Sequence, residues 1–133
     1  MEIIITQWAL DSYLNLRHRN VFTTSNYRQI LRPDVLRLKN YDPMDSKFQQ
    51  QQFWSFATGY SGRIPDGYKM KWHNLGPGRV QLRLPVGLID DVAYLCEAYV
   101  KQSPQQDRRM MARFSVHLDK IRCGNFITRG RLQ

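Results

Sequence analysis

Basic side chains with a regular alternating spacing are the part of this sequence best suited to chemistry. In an extended chain, successive side chains point to opposite faces, so residues 68–73 place lysine and histidine on one face and aromatic or methionine side chains on the other. Residues 79–84 repeat the pattern, and the stretch between them is rich in turn-forming residues, which favours a hairpin. The predicted hairpin has one apolar and one cationic face, and the cationic face carries Lys69, Lys71, His73, Arg79 and Arg83.

Lysine, arginine and histidine can together supply every group that RNA cleavage needs without a metal. A base removes the 2′-hydroxyl proton, cations stabilise charge on the pentavalent phosphate, and an acid protonates the leaving 5′-oxygen. A lysine crowded by other cations has a lowered pKa, which suits it to acid or base work near neutral pH. No acidic residue of the hairpin balances its cationic face, so we favour a face that binds and cleaves RNA over one that is merely solvated.

Composition and charge point to the same class of partner. The chain has 133 residues with 20 Lys and Arg against 11 Asp and Glu, a formal net charge of +9 and a pI near 9.9. Such an excess of positive charge favours a nucleic acid over an acidic protein or a membrane surface. The length fits one domain with an ordinary hydrophobic core.

Cysteine and histidine usage predicts neither a metal nor a cofactor. The two cysteines and three histidines are too scattered for a disulfide framework or a zinc site, and we expect the reducing cytoplasm as the setting. The N-terminus lacks the pattern of a secretory signal, and no apolar stretch reaches 18 residues. We therefore expect a soluble protein with no membrane partner.

The elements that must position the hairpin predict an α+β fold. The β-branched run Ile3–Ile5 indicates a short buried strand, and the apolar spacing that follows indicates a helix over residues 8–16. Residues 25–38 form a second helical region, which Pro33 interrupts. The sequence therefore predicts an N-terminal strand and a helical pair packed on a small, mostly antiparallel sheet.

The C-terminal half supplies a further strand and a basic helix. The apolar run Val92–Val100 is typical of a central strand that is covered on both faces. Ser103 followed by Pro104 is a strong signal for a helix start, and three- and four-residue apolar spacing carries this helix to Gly124 with arginine and lysine on its other face. We expect a single domain over residues 1–124 and a basic, flexible tail over residues 125–133.

This order of elements, with Lys-x-Lys on the second strand of the meander, resembles the RelE/ParE superfamily of bacterial toxins. The segment Pro65–Lys71 followed by Gly78–Arg79 looks like the RelE-type catalytic stretch. The segment Ala98–Pro104, continuing through Arg108 and Arg109, looks like the end of the phage-related HigB subgroup. The resemblance covers about residues 64–121, and the helical region only in outline.

The resemblance implies a toxin of a type II toxin-antitoxin system, an endoribonuclease that cleaves mRNA in the ribosomal A site without a metal and is neutralised by a cognate antitoxin. Lys69, Lys71 and Arg79 match the family's basic catalytic positions. The chain departs from RelE after the last predicted strand, where an arginine and a tyrosine are expected, so His73 becomes the substitute candidate for the general base. We expect RNA binding by Arg83, Lys101, Arg108 and Arg109.

Two other functions are compatible with the same pattern. ParE proteins of the superfamily inhibit DNA gyrase and do not cut RNA, although a gyrase-binding surface has no evident need for clustered acid and base groups. A non-catalytic nucleic-acid-binding module would use the cationic face only to contact phosphates, and its binding would weaken strongly with salt.

Overall fold

Seven strands form one mixed sheet in the computed structural model, which describes residues 1–133. The strands are β1 (Glu2–Thr6), β2 (Trp54–Gly59), β3 (Gly62–Leu75), β4 (Val80–Ile89), β5 (Val92–Leu95), β6 (Tyr99–Val100) and β7 (Thr128–Arg131). The sheet order is β2-β3-β4-β5-β1-β7, and β6 also pairs with β4. Only β1 and β5 run parallel, so the predicted α+β class with a mostly antiparallel sheet is confirmed.

The two longest helices, α1 (Gln7–His18) and α5 (Pro104–Arg122), begin at polar caps that the sequence provides. The Thr6 hydroxyl accepts the Ala9 N–H ahead of α1, and the Ser103 hydroxyl accepts the Gln106 N–H ahead of α5. The interrupted helical region is a chain of short pieces that includes one π-helical turn (Tyr27–Leu31) and one 3₁₀ turn (Arg37–Asn40). The α-helices are α1 (Gln7–His18), α2 (Thr24–Asn26), α3 (Arg32–Leu36), α4 (Ser46–Gln49) and α5 (Pro104–Arg122).

Apolar side chains cover both faces of the sheet and so form two hydrophobic clusters. On one face, Met70 and Trp72 of β3 and Leu82 of β4 pack under α1 and the helical region. On the other face lies α5, which buries Phe114 and Leu118. A Cβ atom at Gly87 would lie 2.5 Å from a Leu118 methyl group, so the glycine allows α5 to approach the sheet closely.

Two parts of the predicted organisation differ in the structure. The single strand predicted over Val92–Val100 is divided into β5 and β6, because the backbone between them leaves the ladder and the Ala98 N–H donates to the Ser12 hydroxyl of α1 at 3.0 Å. The predicted flexible tail contains β7, which pairs with β1 and satisfies backbone groups along the outer edge of that strand.

No helix of the structure combines the length and the apolar character that crossing a lipid bilayer requires.

Candidate active site

Three neighbouring strands bring four basic residues to one face of the sheet. In the β3–β4 hairpin, Lys71 pairs with Arg83, and in β6 Tyr99 pairs with the same Arg83, so these side chains share a face. Lys69 lies two residues before Lys71 on β3, and the Lys101 N–H extends the β6 pairing by donating to the Gln81 carbonyl at 2.8 Å. We call the group Lys69, Lys71, Arg83 and Lys101 the cationic ledge.

Burial and mutual repulsion set the acid–base character of the ledge. Partial burial, followed by repulsion from Lys69, Arg83 and Lys101, lowers the pKa of Lys71 from 10.5 to about 8. With that pKa, roughly one Lys71 side chain in ten is neutral at pH 7, against about one in 3,000 for an ordinary lysine. Lys71 is thus the ledge residue best prepared to accept a proton.

Arg83 is a buried charge at the centre of the ledge. The residue is only 4% exposed, and burial lowers its pKa. Its guanidinium donates to the Gln81 side-chain oxygen at 2.9 Å and to the Leu82 carbonyl at 3.3 Å. An arginine remains protonated at this depth, so Arg83 supplies a fixed positive charge and not a proton acceptor.

Asp107 and Tyr99 complete the site, and sequence reasoning missed both. Asp107, in the first turn of α5, places one carboxylate oxygen 3.4 Å from Lys69 Nζ and accepts the Tyr99 hydroxyl at 2.5 Å with the other. Burial and the Asp107 carboxylate raise the pKa of Tyr99, which therefore stays a hydrogen-bond donor. The Ser103-Pro104 signal locates Asp107 near a helix start, but only the path of α5 across the sheet brings it to the ledge.

Arg79 lies apart from the ledge, in a turn, and His73 lies at a bulge two residues beyond Lys71. Arg79 occupies the turn between β3 and β4 with a positive φ of 51°, and the four residues to Arg83 span about 13 Å in a strand. His73 lies where the β3–β4 register shifts, and its Nε2 is 2.8 Å from the Gln52 carbonyl on the β2 side of β3. A turn and a bulge thus interrupt the alternation that the sequence pattern assumed.

Arg108 and Arg109 follow Asp107 on α5, and both are exposed. Neither guanidinium has a hydrogen-bond or ion-pair partner, whereas Arg113 forms a double hydrogen bond with Glu97 at 3.0 and 3.1 Å. No contact in the structure joins either of them to the ledge, so RNA binding by Arg108 and Arg109 stays a prediction.

The combined arrangement suits an anionic substrate that must exchange a proton. Four cations and a helix N-terminus attract a phosphate, one lysine has a pKa close to neutrality, and one carboxylate holds the adjacent lysine in place. No protein-family model, curated protein or solved structure matches this chain.

Proposed function

We propose that this protein is a metal-independent endoribonuclease of the RelE/ParE superfamily, acting as the toxin of a type II toxin-antitoxin pair. The observation that carries the proposal is the cationic ledge, where Lys71 has a pKa of about 8 among three further cations. RNA is the substrate that uses both properties, because its phosphate needs cations and its 2′-hydroxyl needs a base.

The ledge residues divide the work according to their surroundings. Neutral Lys71 takes the 2′-hydroxyl proton as that oxygen attacks the phosphorus atom. The bond between phosphorus and the 5′-oxygen breaks, and the 5′-oxygen takes a proton from water, so the products are a 2′,3′-cyclic phosphate and a free 5′-hydroxyl. Lys101, which is exposed, stabilises the negative charge that develops on the phosphate oxygens, and buried Arg83 adds to this stabilisation as a fixed charge beneath the ledge surface. Preorganised cations act most strongly on charge that appears in the transition state. Lys69, fixed by its ion pair with Asp107, adds a positioned charge next to Lys71.

The order of elements supports assignment to this superfamily over an unrelated basic domain. The resemblance expects a strand, a helical pair, a three-strand meander and a late helix. In the structure β1 is followed by helical segments, then by the consecutive antiparallel strands β2, β3 and β4, and later by α5. The Lys-x-Lys pair lies on β3, the middle strand of that meander.

The same features suggest the protein's partners. An mRNA presented in the ribosomal A site would place its backbone against the ledge, and the net charge of +9 would attract the chain to ribosomal RNA. An antitoxin would neutralise the toxin by covering the ledge with an acidic or helical segment. These partners place the proposed activity in the cytoplasm.

The test is brief induced expression followed by mapping of the 5′ ends of cellular mRNA. Three forms are compared: wild type, Lys69→Ala/Lys71→Ala, and the control Lys120→Ala/Arg129→Ala, which removes two exposed cations outside the ledge. We expect new cuts within translated frames for wild type and control, and none for the ledge variant, with circular dichroism showing that all three are folded.

Each of three other outcomes would overturn the proposal and would indicate a different conclusion. Growth arrest with intact mRNA would indicate a gyrase inhibitor. Salt-dependent RNA binding with neither arrest nor cuts would indicate a non-catalytic binding module. Cuts that persist in the ledge variant would show that the active groups lie elsewhere.

A further inference from the structure

A groove of about 440 Å³ adjoins the cationic ledge between α1 and α5. One wall is a single face of α1, where Trp8, Asp11 and Asn15 recur at helical spacing, and the floor is the chain around the break between β5 and β6. Tyr99 belongs to both places, because it lines the groove while its hydroxyl binds Asp107 beside the ledge. The volume lies within the usual range for pockets that bind small ligands.

The charges of the groove differ from those of the ledge. Two carboxylates, Asp11 and Glu97, face two guanidinium groups, Arg19 and Arg113, so the formal charges of the groove cancel. Glu97 and Arg113 also neutralise each other directly at 2.9 Å. A phosphate is therefore attracted more strongly to the ledge than to the groove, and the groove is suited to a neutral polar group that is covalently attached to that phosphate.

Several hydrogen-bonding groups in the groove have no strong protein partner. The exposed side chains of Asp11 and Gln102 make no hydrogen bond within the protein, and the exposed side chain of Asn15 has only a 3.5 Å contact with Arg19. Such amides and carboxylates pair with the donor and acceptor edges of nucleobases.

An aromatic surface accompanies these polar groups. Trp8 stacks on His117 with ring centres 4.0 Å apart and planes inclined by 12°. Trp8 lines the groove and His117 does not, so part of the indole borders the groove. Unpaired bases of single-stranded RNA are held by stacking of this kind together with hydrogen bonds to their edges.

We infer that this groove binds an unpaired nucleobase of the RNA strand whose backbone lies on the cationic ledge. The inference rests on the proposed function and adds to it that the substrate is single-stranded at this nucleotide. It also assigns Asn15 and Gln102 as residues that set sequence preference next to the cut.

The test measures binding of two short RNA oligomers of equal length by fluorescence anisotropy. Both carry 2′-O-methyl groups, which remove the attacking hydroxyl; one has all its bases and the other lacks one central base. Wild type should bind the complete oligomer roughly 5- to 150-fold more tightly, the range expected for stacking of one base. Asn15→Ala/Gln102→Ala should lose the part of this difference that hydrogen bonds to the base edge supply, while its affinity for the oligomer without the base is unchanged.

The control variant is Gln29→Ala/Gln50→Ala, which removes two exposed amides outside the groove and should behave as wild type. Equal binding of both oligomers by wild type would overturn the groove inference and leave the ledge intact. Equal weakening of both oligomers in the groove variant would also overturn it, because the amides would then contact the backbone. Absence of binding to either oligomer would overturn the groove as a site for free RNA, whereas the proposed function is decided by the mapping of mRNA 5′ ends.

Discussion

Replacement of Lys71 by arginine is the sharpest test of the assignment of the general base. The substitution keeps a positive charge on β3, but arginine does not release its proton at any pH that the protein tolerates. Loss of one acid–base group lowers the rate of a chemical step by roughly 100- to 10,000-fold, and we expect a loss in this range.

The pKa of Lys71 also predicts the shape of the wild-type pH profile. In the proposed mechanism the neutral amine is the active form, so the rate should rise with pH until the amine is mostly deprotonated. With a pKa of about 8, the neutral fraction grows about ninefold from pH 6 to pH 7, about fivefold from pH 7 to pH 8, and less than twofold from pH 8 to pH 9.

The assay is single-turnover cleavage of a defined mRNA on purified ribosomes between pH 6 and pH 9. Lys101→Arg is the matched control, because it makes the same chemical change on the same ledge at an exposed position. Lys101→Arg should keep the increase of the cleavage rate with pH, and Lys71→Arg should lose this increase. A Lys71→Arg protein that cleaves at the wild-type rate with the same profile would refute the role of Lys71 as base.

Three further predictions concern the surroundings of the site. Asp107→Asn removes a negative charge that raises the pKa of Lys71, so the rising limb of the cleavage profile should move to lower pH in the same assay. Gly87→Ala should lower the free energy of unfolding by about 1–3 kcal/mol in urea denaturation because its Cβ would meet a buried leucine at 2.5 Å, whereas Gly59→Ala, with its nearest contact at 3.7 Å, should change it little. Burial and two nearby cations lower the pKa of His117 from 6.5 to about 4 in the folded protein. The unfolded chain therefore binds a proton at higher pH than the folded protein does, and the free energy of unfolding should fall as the pH drops from 6.5 to about 4. Calorimetry at stepped pH should show this loss in wild type and a flatter response in His117→Phe.

The hairpin was predictable because alternation is a local property of an extended chain. Side chains two residues apart on a strand point to the same face, and this alternation suggested that the basic residues of the two strands lie together. In the structure Lys71 pairs with Arg83 on one face of the hairpin. The start of α5 was predictable in the same way, since Ser103 and Pro104 act within one helical turn.

The remaining parts of the site depend on contacts between distant segments. Asp107 reaches Lys69 only because α5 crosses the sheet at one particular place, and no spacing in the sequence encodes that crossing. Arg79 and His73 were grouped with the lysines because simple alternation ignores left-handed turn residues and bulges. The groove beside α1 was missed for a related reason, because it is formed by two helices far apart in the chain.

The position of β1 inside the sheet has a consequence for how the protein folds. Ile3 pairs with Ala93 and Ile4 with Arg131, so β1 has both its neighbours among strands that follow it by about 90 residues or more in the chain. Long-range pairing of this kind makes folding slow, because much chain entropy is lost before the contacts form. During translation the β3–β4 hairpin can form early, but β1 stays unpaired until β5 has emerged from the ribosome. A nascent chain would therefore lack the finished sheet beneath the ledge for most of its synthesis, which would delay any activity on the ribosome that is making it.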